Sequence, residues 1–82
     1  MLIIDYKKDF LKQVGKIKNR SFKEKVKKQI RRIIENPEIG KPMRYTRKGS
    51  REVYVKPYRL AYAYMKSENK LVFLEIYHKD EQ

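Results

Sequence analysis

Residues 52–65 of the sequence read EVYVKPYRLAYAYM, and they decide the fold. In Glu52–Lys56 polar and apolar residues alternate with a period of two, which is typical of a strand with one buried face. Pro57 breaks the run, because proline cannot donate a hydrogen bond to a strand ladder. Tyr58–Met65 is rich in aromatic residues, which favour strands. The stretch therefore predicts two strands joined by a short turn.

A third strand is expected toward the carboxyl terminus. Leu71–Tyr77 is rich in β-branched and aromatic residues, and Ser67–Lys70 is a suitable hairpin connection. Alternation then assigns side chains to two faces of a sheet. The buried face is predicted to carry Val53, Val55, Leu60, Tyr62, Leu74 and Ile76. The opposite, open face is predicted to carry Glu52, Tyr54, Lys56, Arg59, Ala61, Ala63, Glu75, Tyr77 and Lys79.

Two amphipathic helices are predicted before these strands, after a short strand at Leu2–Ile4. Asp5 is a suitable cap for the first helix. Its apolar stripe is Phe10, Leu11, Val14 and Ile17, and Gly15 weakens it near its end. The second helix opens on a capping box at residues 21–24 and ends at Asn36, since Pro37 disfavours helix in the residue before it. Its apolar side is Phe22, Val26, Ile30, Ile33 and Ile34.

The predicted order is β-α-α-β-β-β, an α+β fold. An antiparallel sheet is covered on one face by the N-terminal helical hairpin. Residues 1–82 form a single domain in this prediction, because a domain typically needs roughly 100–150 residues.

The charge is strongly positive and unevenly distributed. The chain has 22 Lys and Arg against 10 Asp and Glu, a net charge of +12. Two segments hold nearly all the excess: Lys16–Arg32 has nine basic residues and one acidic, and Lys41–Arg59 has seven basic and one acidic. Such a field attracts polyanions, and it would equally attract an acidic protein partner.

Several classes of protein are excluded by what the sequence lacks. The apolar runs, such as Met1–Ile4, are far shorter than the roughly 20 residues of a membrane span, so no membrane partner is expected. There is no secretory signal pattern, and there are no cysteines for disulfides or thiolate chemistry. One histidine and scattered acidic residues predict neither a metal site nor a cofactor. A cytoplasmic location is the simplest interpretation, and the Lys, Glu, Ile and Tyr content hints at a heat-adapted source.

The whole pattern resembles the RelE/ParE superfamily of toxins from bacterial and archaeal toxin–antitoxin modules. The resemblance runs nearly end to end, through the opening strand and helical hairpin, Asn36–Pro37 and Gly40–Met43. It continues through Gly49–Val55 and Tyr58–Tyr62 to the last strand and 78–80. Its most telling piece is a strand carrying Tyr-Arg-Leu after a short turn that follows Arg-x-Val-x-Val.

The resemblance implies a compact toxin neutralised by an acidic, RelB-like antitoxin in a hetero-oligomer. It also implies one of two activities. RelE-like members cut mRNA in the ribosomal decoding site without a metal, whereas ParE-like members inhibit DNA gyrase and are not nucleases. In the nuclease pattern the strand arginine matches Arg59, and a basic residue after the last strand matches Lys79. The nuclease pattern also has a pair of lysines, at the positions that here are Glu52 and Tyr54.

The predicted catalytic residues are Arg59, Lys79, His78 and Tyr54. Arg59 and Lys79 would hold the scissile phosphate, unless Arg59 forms an ion pair with Glu52 or Glu75 across the sheet. Histidine is the side chain whose unperturbed pKa suits proton transfer near neutral pH, although strict alternation points His78 away from Arg59. Tyr54 would stack on a base or bind a phosphate. Glu52 is interpreted as a counter-ion to Arg51 or Arg59, or as a general base.

The predicted RNA-binding residues come mainly from the second basic segment and the open face: Lys41, Arg44, Arg47, Lys48, Arg51, Lys56 and Tyr77. The leading hypothesis is a ribosome-dependent mRNA endoribonuclease that inhibits translation. The alternatives are a gyrase inhibitor of the ParE kind and a basic RNA-binding domain without cleavage. The heavy basic charge favours the first, and the missing lysine pair favours the second.

Overall fold

The elements of the chain follow the predicted order. A computed structural model describes residues 1–43 and 49–78. The elements are β1 (Ile3–Tyr6), α1 (Lys8–Gly15), α2 (Arg20–Glu35), β2 (Lys41–Pro42), β3 (Ser50–Val55), β4 (Tyr58–Met65) and β5 (Lys70–His78). A single turn of 3-10 helix, Lys66–Glu68, joins β4 to β5. Within the described ranges, neither helix is long and apolar enough to cross a bilayer.

The strands form one five-stranded sheet in the order β1-β5-β4-β3-β2. The pairs β3–β4 and β4–β5 are antiparallel, as predicted, and the unpredicted β2 is also antiparallel to β3. β1, in contrast, pairs in parallel with β5. The α+β fold class is therefore confirmed, but the sheet is mixed and has one additional short strand, β2. The parallel pair arises because the helices carry the chain over the sheet between its two edges, so that β1 and β5 run in the same direction.

The helix starts differ from the predicted caps. Asp5 lies inside β1, opposite Val72, and the Lys7 N–H continues the pairing by donating to Phe73 O at 2.9 Å. The predicted cap at Asp5 is therefore wrong, and α1 begins after Lys7. For α2 the cap is Asn19, whose Oδ1 accepts a hydrogen bond from Phe22 N at 2.9 Å, and not Ser21. The predicted end before Pro37 is confirmed.

The core lies between the two helices and one face of the sheet. Its fully buried side chains are Phe10, Val26, Ile33, Leu60, Tyr62, Leu71 and Phe73, with Val55 and Ile76 nearly so. Leu11 was expected in the stripe of α1 but is 56% exposed. Because α1 has only eight residues, it reaches the core with Phe10 and Val14 alone, and Ile17 packs from beyond its end.

A register shift in β5 reverses which face of the sheet is occupied by the residues that precede Leu74, relative to strict alternation. Ala61 lies opposite Glu75, but Tyr62 lies opposite Phe73, so Leu74 is one residue extra in β5. Such a bulge interrupts the alternation of side chains. Leu71 and Phe73 therefore fill the core on the amino-terminal side of the bulge, and the prediction that Leu74 belongs to the core is wrong.

Candidate nucleic-acid interface

Four side chains from three neighbouring strands meet on the sheet face opposite the helices. Tyr54 of β3 lies opposite Arg59 of β4, which lies opposite Tyr77 of β5. Glu52 lies two residues before Tyr54, hence on the same face, with Ala61 as its neighbour in β4. The small Ala61 side chain leaves room for the four larger side chains around it. We call Glu52, Tyr54, Arg59 and Tyr77 the open-face cluster.

The contacts of the open-face cluster centre on the Glu52 carboxylate. Arg59 Nη1 donates to Glu52 Oε1 at 3.5 Å, and Tyr77 Oη donates to Glu52 Oε2 at 2.9 Å. The Arg59 guanidinium carbon lies 4.9 Å from the centroid of the Tyr54 ring, within the range of a cation–π contact. Arg59 therefore faces the open side, as predicted, and it forms the ion pair with Glu52 that was considered as the alternative to phosphate binding.

Burial makes this ion pair stronger than one in solvent. The side chains of Glu52 and Arg59 are 12% and 25% exposed, whereas Tyr54 is 54% exposed. Water screens a partly enclosed pair less than an exposed one. Within the described residues, Arg59 Nε is buried and has no hydrogen-bond partner. Nε itself cannot be reached from outside, but a guanidinium carries five N–H donors and the Arg59 side chain is 25% exposed, so its outer N–H groups are available to an anionic group such as a phosphate.

Lys41 and Lys56 flank the open-face cluster on two sides. Lys41 of β2 lies opposite Glu52, and its side chain is exposed. Lys56 lies in the turn between β3 and β4, and with Tyr54 and Arg59 it lines a shallow pocket. Both lysines are therefore placed where a polyanion lying across the cluster would pass. Arg44, Arg47, Lys48 and Lys79 lie outside the described residues.

Arg51 lies on the helix-covered face, away from the open-face cluster. It is the partner of the buried Tyr62, and its Nη1 donates to Gly40 O at 2.8 Å and Glu38 O at 3.0 Å. These bonds hold the segment that leads into β2. The structure therefore does not bring Arg51 together with Lys41 and Lys56, although all three were predicted to contact RNA.

Tyr62, in the core, also holds the segment that leads into β2. Its hydroxyl donates to Pro37 O and accepts from Gly40 N, each at 2.8 Å. Burial raises the pKa of this hydroxyl above its ordinary value, so it remains a donor at any physiological pH. A Cβ at Gly40 would lie 2.5 Å from Tyr62 Oη and 3.0 Å from Glu52 O, so only glycine fits there. Residues 37–40 are thereby held, and Lys41 is placed opposite Glu52.

His78 lies on the other face of the sheet from Arg59. It is the partner of Tyr58, and the two rings meet edge to face with centroids 5.4 Å apart. Tyr58 in turn packs against Phe22 of α2. His78 lines a cleft together with Lys16 and Lys18 of the α1–α2 connection and Lys25 of α2. The structure thus separates His78 from Arg59 and Tyr54, in agreement with strict alternation.

Glu52 is the member of the cluster that the predicted site did not include. Its signal in the sequence was its position two residues before Tyr54, which places both on one face. The ion pair of Glu52 with Arg59 was considered from the sequence, whereas its hydrogen bond from Tyr77 became visible only in the structure. Among the residues described, no three His, Asp or Glu side chains gather into a potential metal site.

Comparison with known proteins yields a family and a fold. A family model described as the ParE toxin of the type II toxin–antitoxin system parDE matches residues 4–82. No curated protein matches the chain.

Solved structures with the same fold include three bacterial toxins. A chain of the intact RelBE toxin–antitoxin complex of E. coli is 18% identical, with a TM-score of 0.79 over 95% of this chain and 96% of that chain. YafQ from E. coli BL21(DE3) is 23% identical, with a TM-score of 0.79 over 98% and 96%. A YoeB/ParE toxin from Agrobacterium tumefaciens is 14% identical, with a TM-score of 0.80 over 94% and 98%. At these identities the likeness concerns the fold.

Proposed function

This chain belongs to the ParE toxin family of type II toxin–antitoxin systems, and although ParE-like toxins inhibit gyrase, we propose from the open-face cluster of this chain that it cleaves mRNA on the ribosome. Cleavage would need no metal and would stop translation in the cytoplasm. The open-face cluster carries the proposal. On the open face of the sheet, the Arg59 guanidinium lies 3.5 Å and the Tyr77 phenol 2.9 Å from the Glu52 carboxylate. A proton acceptor and a cation for the phosphate therefore lie side by side, and both favour cleavage of an RNA backbone by its own 2′-hydroxyl.

In the proposed reaction Glu52 is the general base. It accepts the proton of the ribose 2′-hydroxyl, the 2′-oxygen forms a bond to phosphorus, and the bond from phosphorus to the 5′-oxygen breaks. The leaving 5′-oxygen takes a proton from water. The products are a 2′,3′-cyclic phosphate and a 5′-hydroxyl end. Tyr77 holds the carboxylate in place through its hydrogen bond of 2.9 Å.

Arg59 would stabilise the negative charge that gathers on the phosphate oxygens. It lies beside Glu52 and beneath the exposed Tyr54 ring, on which a base could stack. Lys79, which the family resemblance selected, is proposed as a second cation for the phosphate. Lys41 and Lys56 would bind neighbouring phosphates, and the two basic segments would contact ribosomal RNA.

An antitoxin is the second proposed partner. The RelBE and DinJ–YafQ structures of E. coli contain such toxins bound to their antitoxins. For this chain we propose an acidic, RelB-like antitoxin, because a +12 surface attracts an oppositely charged partner. The complex would be a toxin–antitoxin hetero-oligomer.

Expression of the chain in growing cells tests the proposal. We expect the incorporation of labelled amino acids to fall before DNA synthesis does, with new 5′-hydroxyl ends in ribosome-bound mRNA. Arg59→Ala should relieve this arrest. Lys12→Ala, which removes one positive charge from an exposed position of α1 outside both basic segments, should not. Arrest of translation without new mRNA ends would instead favour RNA binding without cleavage.

The second candidate function is inhibition of DNA gyrase without catalysis. The observation in its favour is that the matching family model is that of ParE toxins. The absence of the lysine pair at Glu52 and Tyr54 points the same way. This candidate predicts DNA damage and loss of gyrase supercoiling in vitro, with amino-acid incorporation falling only later.

A further inference from the structure

The outer side of β1 is uncovered. β1 is the terminal strand of the sheet, and within residues 1–43 and 49–78 it pairs with β5 alone. Three of its four residues are exposed. An uncovered strand edge presents unpaired N–H and C=O groups, on which another extended chain can pair. We call the outward side of Leu2–Tyr6 the β1 edge.

The hydrogen bonds to β5 show which groups of β1 point outward. Ile3 N donates to Asn69 O and Lys7 N donates to Phe73 O, each at 2.9 Å. In a parallel ladder alternate residues bond to the same neighbouring strand, so the odd-numbered residues of β1 bond to β5. The outward N–H and C=O groups belong to the even-numbered residues, Leu2, Ile4 and Tyr6.

The β1 edge lies in an apolar and weakly charged part of the surface. Among the described residues six large apolar side chains are exposed, and four of them lie on β1, directly before it or on α1: Met1, Ile3, Tyr6 and Leu11. Residues 1–15 hold only three of the 22 basic residues and two of the 10 acidic ones. RNA or an acidic protein would be attracted to the two basic segments instead. A second copy of this positively charged chain is repelled least at the β1 edge.

Pairing of the β1 edge with itself fits this surface. A two-fold interface must be self-complementary, and antiparallel pairing of one strand with its copy meets that condition. If Ile4 lies opposite Ile4 of a second copy, Leu2 lies opposite Tyr6, and apolar side chains meet on the helix side of the sheet. Ile3 then lies opposite Asp5 on the open face. Moving the centre of the pair to Asp5 would instead place two carboxylates against each other.

We propose that two copies of the chain pair through their β1 edges, five strands from each forming one continuous sheet with Ile4 of both copies at its centre. The inference does not depend on the proposed function. Tyr6 N bonds to Asp5 Oδ1 of its own chain at 3.2 Å, and because Asp5 is exposed, pairing requires only that this side chain turns away. The helices of both copies would lie on one side of the sheet and both open-face clusters on the other.

The association is expected to be weak and to increase with salt. The β1 edge is short and buries less than the roughly 1,600 Å² of a standard interface, so we expect a dissociation constant of roughly 10–1,000 µM. Salt screens the repulsion between two chains of net charge +12. Sedimentation at about 1 mM protein should therefore show more dimer in about 0.5 M than in about 0.05 M salt, whereas salt weakens RNA binding. A chain that stays monomeric in both would overturn the proposal.

Opposite charges at Ile3 test the register. Ile3 is 57% exposed, so Ile3→Lys and Ile3→Glu should both fold. In the proposed register the lysine would lie opposite Asp5 of the second copy and attract it, whereas the glutamate would repel it. We expect Ile3→Lys to dimerise at least about tenfold more tightly than Ile3→Glu. The overall field predicts the reverse order, because the lysine raises the net charge and the glutamate lowers it.

Ile39→Lys and Ile39→Glu are the matched control pair. Ile39 is also an exposed apolar residue, but it lies in the segment before β2, at the far edge of the sheet. The two control variants should differ little, in the order that the overall field sets. The field order at Ile3 as well would overturn the proposal. Loss of the dimer in Ile39→Glu alone would also overturn it, because the interface would then lie at the other edge.

Amide hydrogen exchange identifies what occupies the β1 edge. The Ile4 amide points outward and the Asp5 amide bonds to β5, so only Ile4 should gain protection as the concentration of the isolated chain rises. Protection of Ile4 solely on addition of the protein encoded by the adjacent gene, or of an RNA oligonucleotide, would assign the edge to that partner and overturn the proposal. Failure of the chain to cleave mRNA would overturn the proposed function and leave the dimer intact.

Discussion

Glu52 is at once the counter-ion of Arg59 and the proposed base, and these two roles have opposite consequences for RNA binding. A carboxylate beside a phosphate is repulsive, and here it also neutralises the one guanidinium of the cluster. The hydrogen bond from Tyr77 and the ion pair with Arg59 hold it at the surface that RNA would approach. The Glu52 carboxylate should therefore weaken RNA binding, and in the proposed reaction it compensates by accepting the proton of the 2′-hydroxyl.

Glu52→Gln should separate binding from catalysis. The amide keeps an oxygen that can accept from Tyr77 Oη, but it removes the negative charge and the base. We expect cleavage to slow by roughly 10²–10⁴-fold while RNA binds more tightly than to the wild type. Single-turnover rates and binding measured at several RNA concentrations report the two effects separately. If the rate constant of the Gln variant matches that of the wild type, Glu52 is not the base.

His78→Gln should have little effect on cleavage. The side chain packs against Tyr58 on the helix side of the sheet, while the Arg59 guanidinium is on the other side. A proton cannot pass between them directly, so the general acid–base role predicted for His78 from the sequence should not be observed. We expect the single-turnover rate to stay within about twofold of the wild type, against the roughly 10²–10⁴-fold loss typical of a missing acid or base. A loss of that size would restore His78 to the reaction.

At the level of elements, the segment that leads into β2 is held by side chains and hardly by its own ladder. β2 has only two residues, and its position depends on Tyr62 and Arg51, which bind Pro37, Glu38 and Gly40. Because Lys41 follows directly, the core residue Tyr62 determines where a predicted RNA contact lies. A substitution of Tyr62 in the core should therefore also change the position of Lys41 on the open face.

Tyr62→Phe should destabilise the fold by about 1–3 kcal/mol, because Gly40 N–H and Pro37 C=O lose a buried partner. Tyr64→Phe is the matched control on the same strand, since its hydroxyl makes no hydrogen bond to the described residues. Urea unfolding monitored by tyrosine fluorescence or circular dichroism measures both. Equal stabilities of the two variants would show that the hydroxyl of Tyr62 contributes nothing.

The same pair of proteins should respond differently to alkali. Burial raises the pKa of the Tyr62 hydroxyl, so the unfolded chain loses this proton at a lower pH than the folded chain does. The stabilising effect is complete below the pKa of an unfolded tyrosine, about 10, and is lost as pH rises through the folded value. The stability advantage of the wild type over Tyr62→Phe should therefore be constant up to about pH 10 and shrink above it. An advantage that grows with pH would contradict this assignment.

The sequence predicted the elements better than the details that connect them. Strict alternation placed Val53, Leu60, Tyr62 and the open-face residues of β3 and β4 correctly, because those two strands pair without interruption. Alternation failed at Leu74, because the bulge there depends on pairing with β4 and cannot be recognised from the residues of β5 alone. The parallel pairing of β1 could not be predicted from local sequence either, because its partner strand β5 lies some 67 residues away in the chain.

The candidate site could be predicted in part because alternation assigns residues of a regular strand to a face. Tyr54, Arg59 and Tyr77 were expected on one face, and the ladder places them in one row. Arg51 was expected beside Lys41 in a basic loop, yet one step of alternation turns it toward Tyr62 and the core. Sequence spacing gives the face of a residue within a strand, but not the hydrogen bonds that it finds there.

For the molecule as a whole, the sheet separates two charged surfaces. On one side lies the open-face cluster with Lys41 and Lys56, and on the other lie the lysines of the helices with His78. The net charge of +12 supplies long-range attraction that falls with salt, whereas the cluster supplies the specific geometry. In the proposed function, the helices would bind ribosomal RNA while the cluster faces the mRNA strand.

The most direct test is single-turnover cleavage of an mRNA held in purified ribosomes, with the ends of the products mapped. We predict that the wild type cuts the mRNA and leaves 2′,3′-cyclic phosphate and 5′-hydroxyl ends. Arg59→Ala should be slower by a factor on the order of one hundred, equivalent to about 2–3 kcal/mol of lost transition-state stabilisation. Lys12→Ala should cut at the wild-type rate. A wild type that leaves the mRNA intact, or a folded Arg59→Ala that cuts it equally fast, would contradict the account.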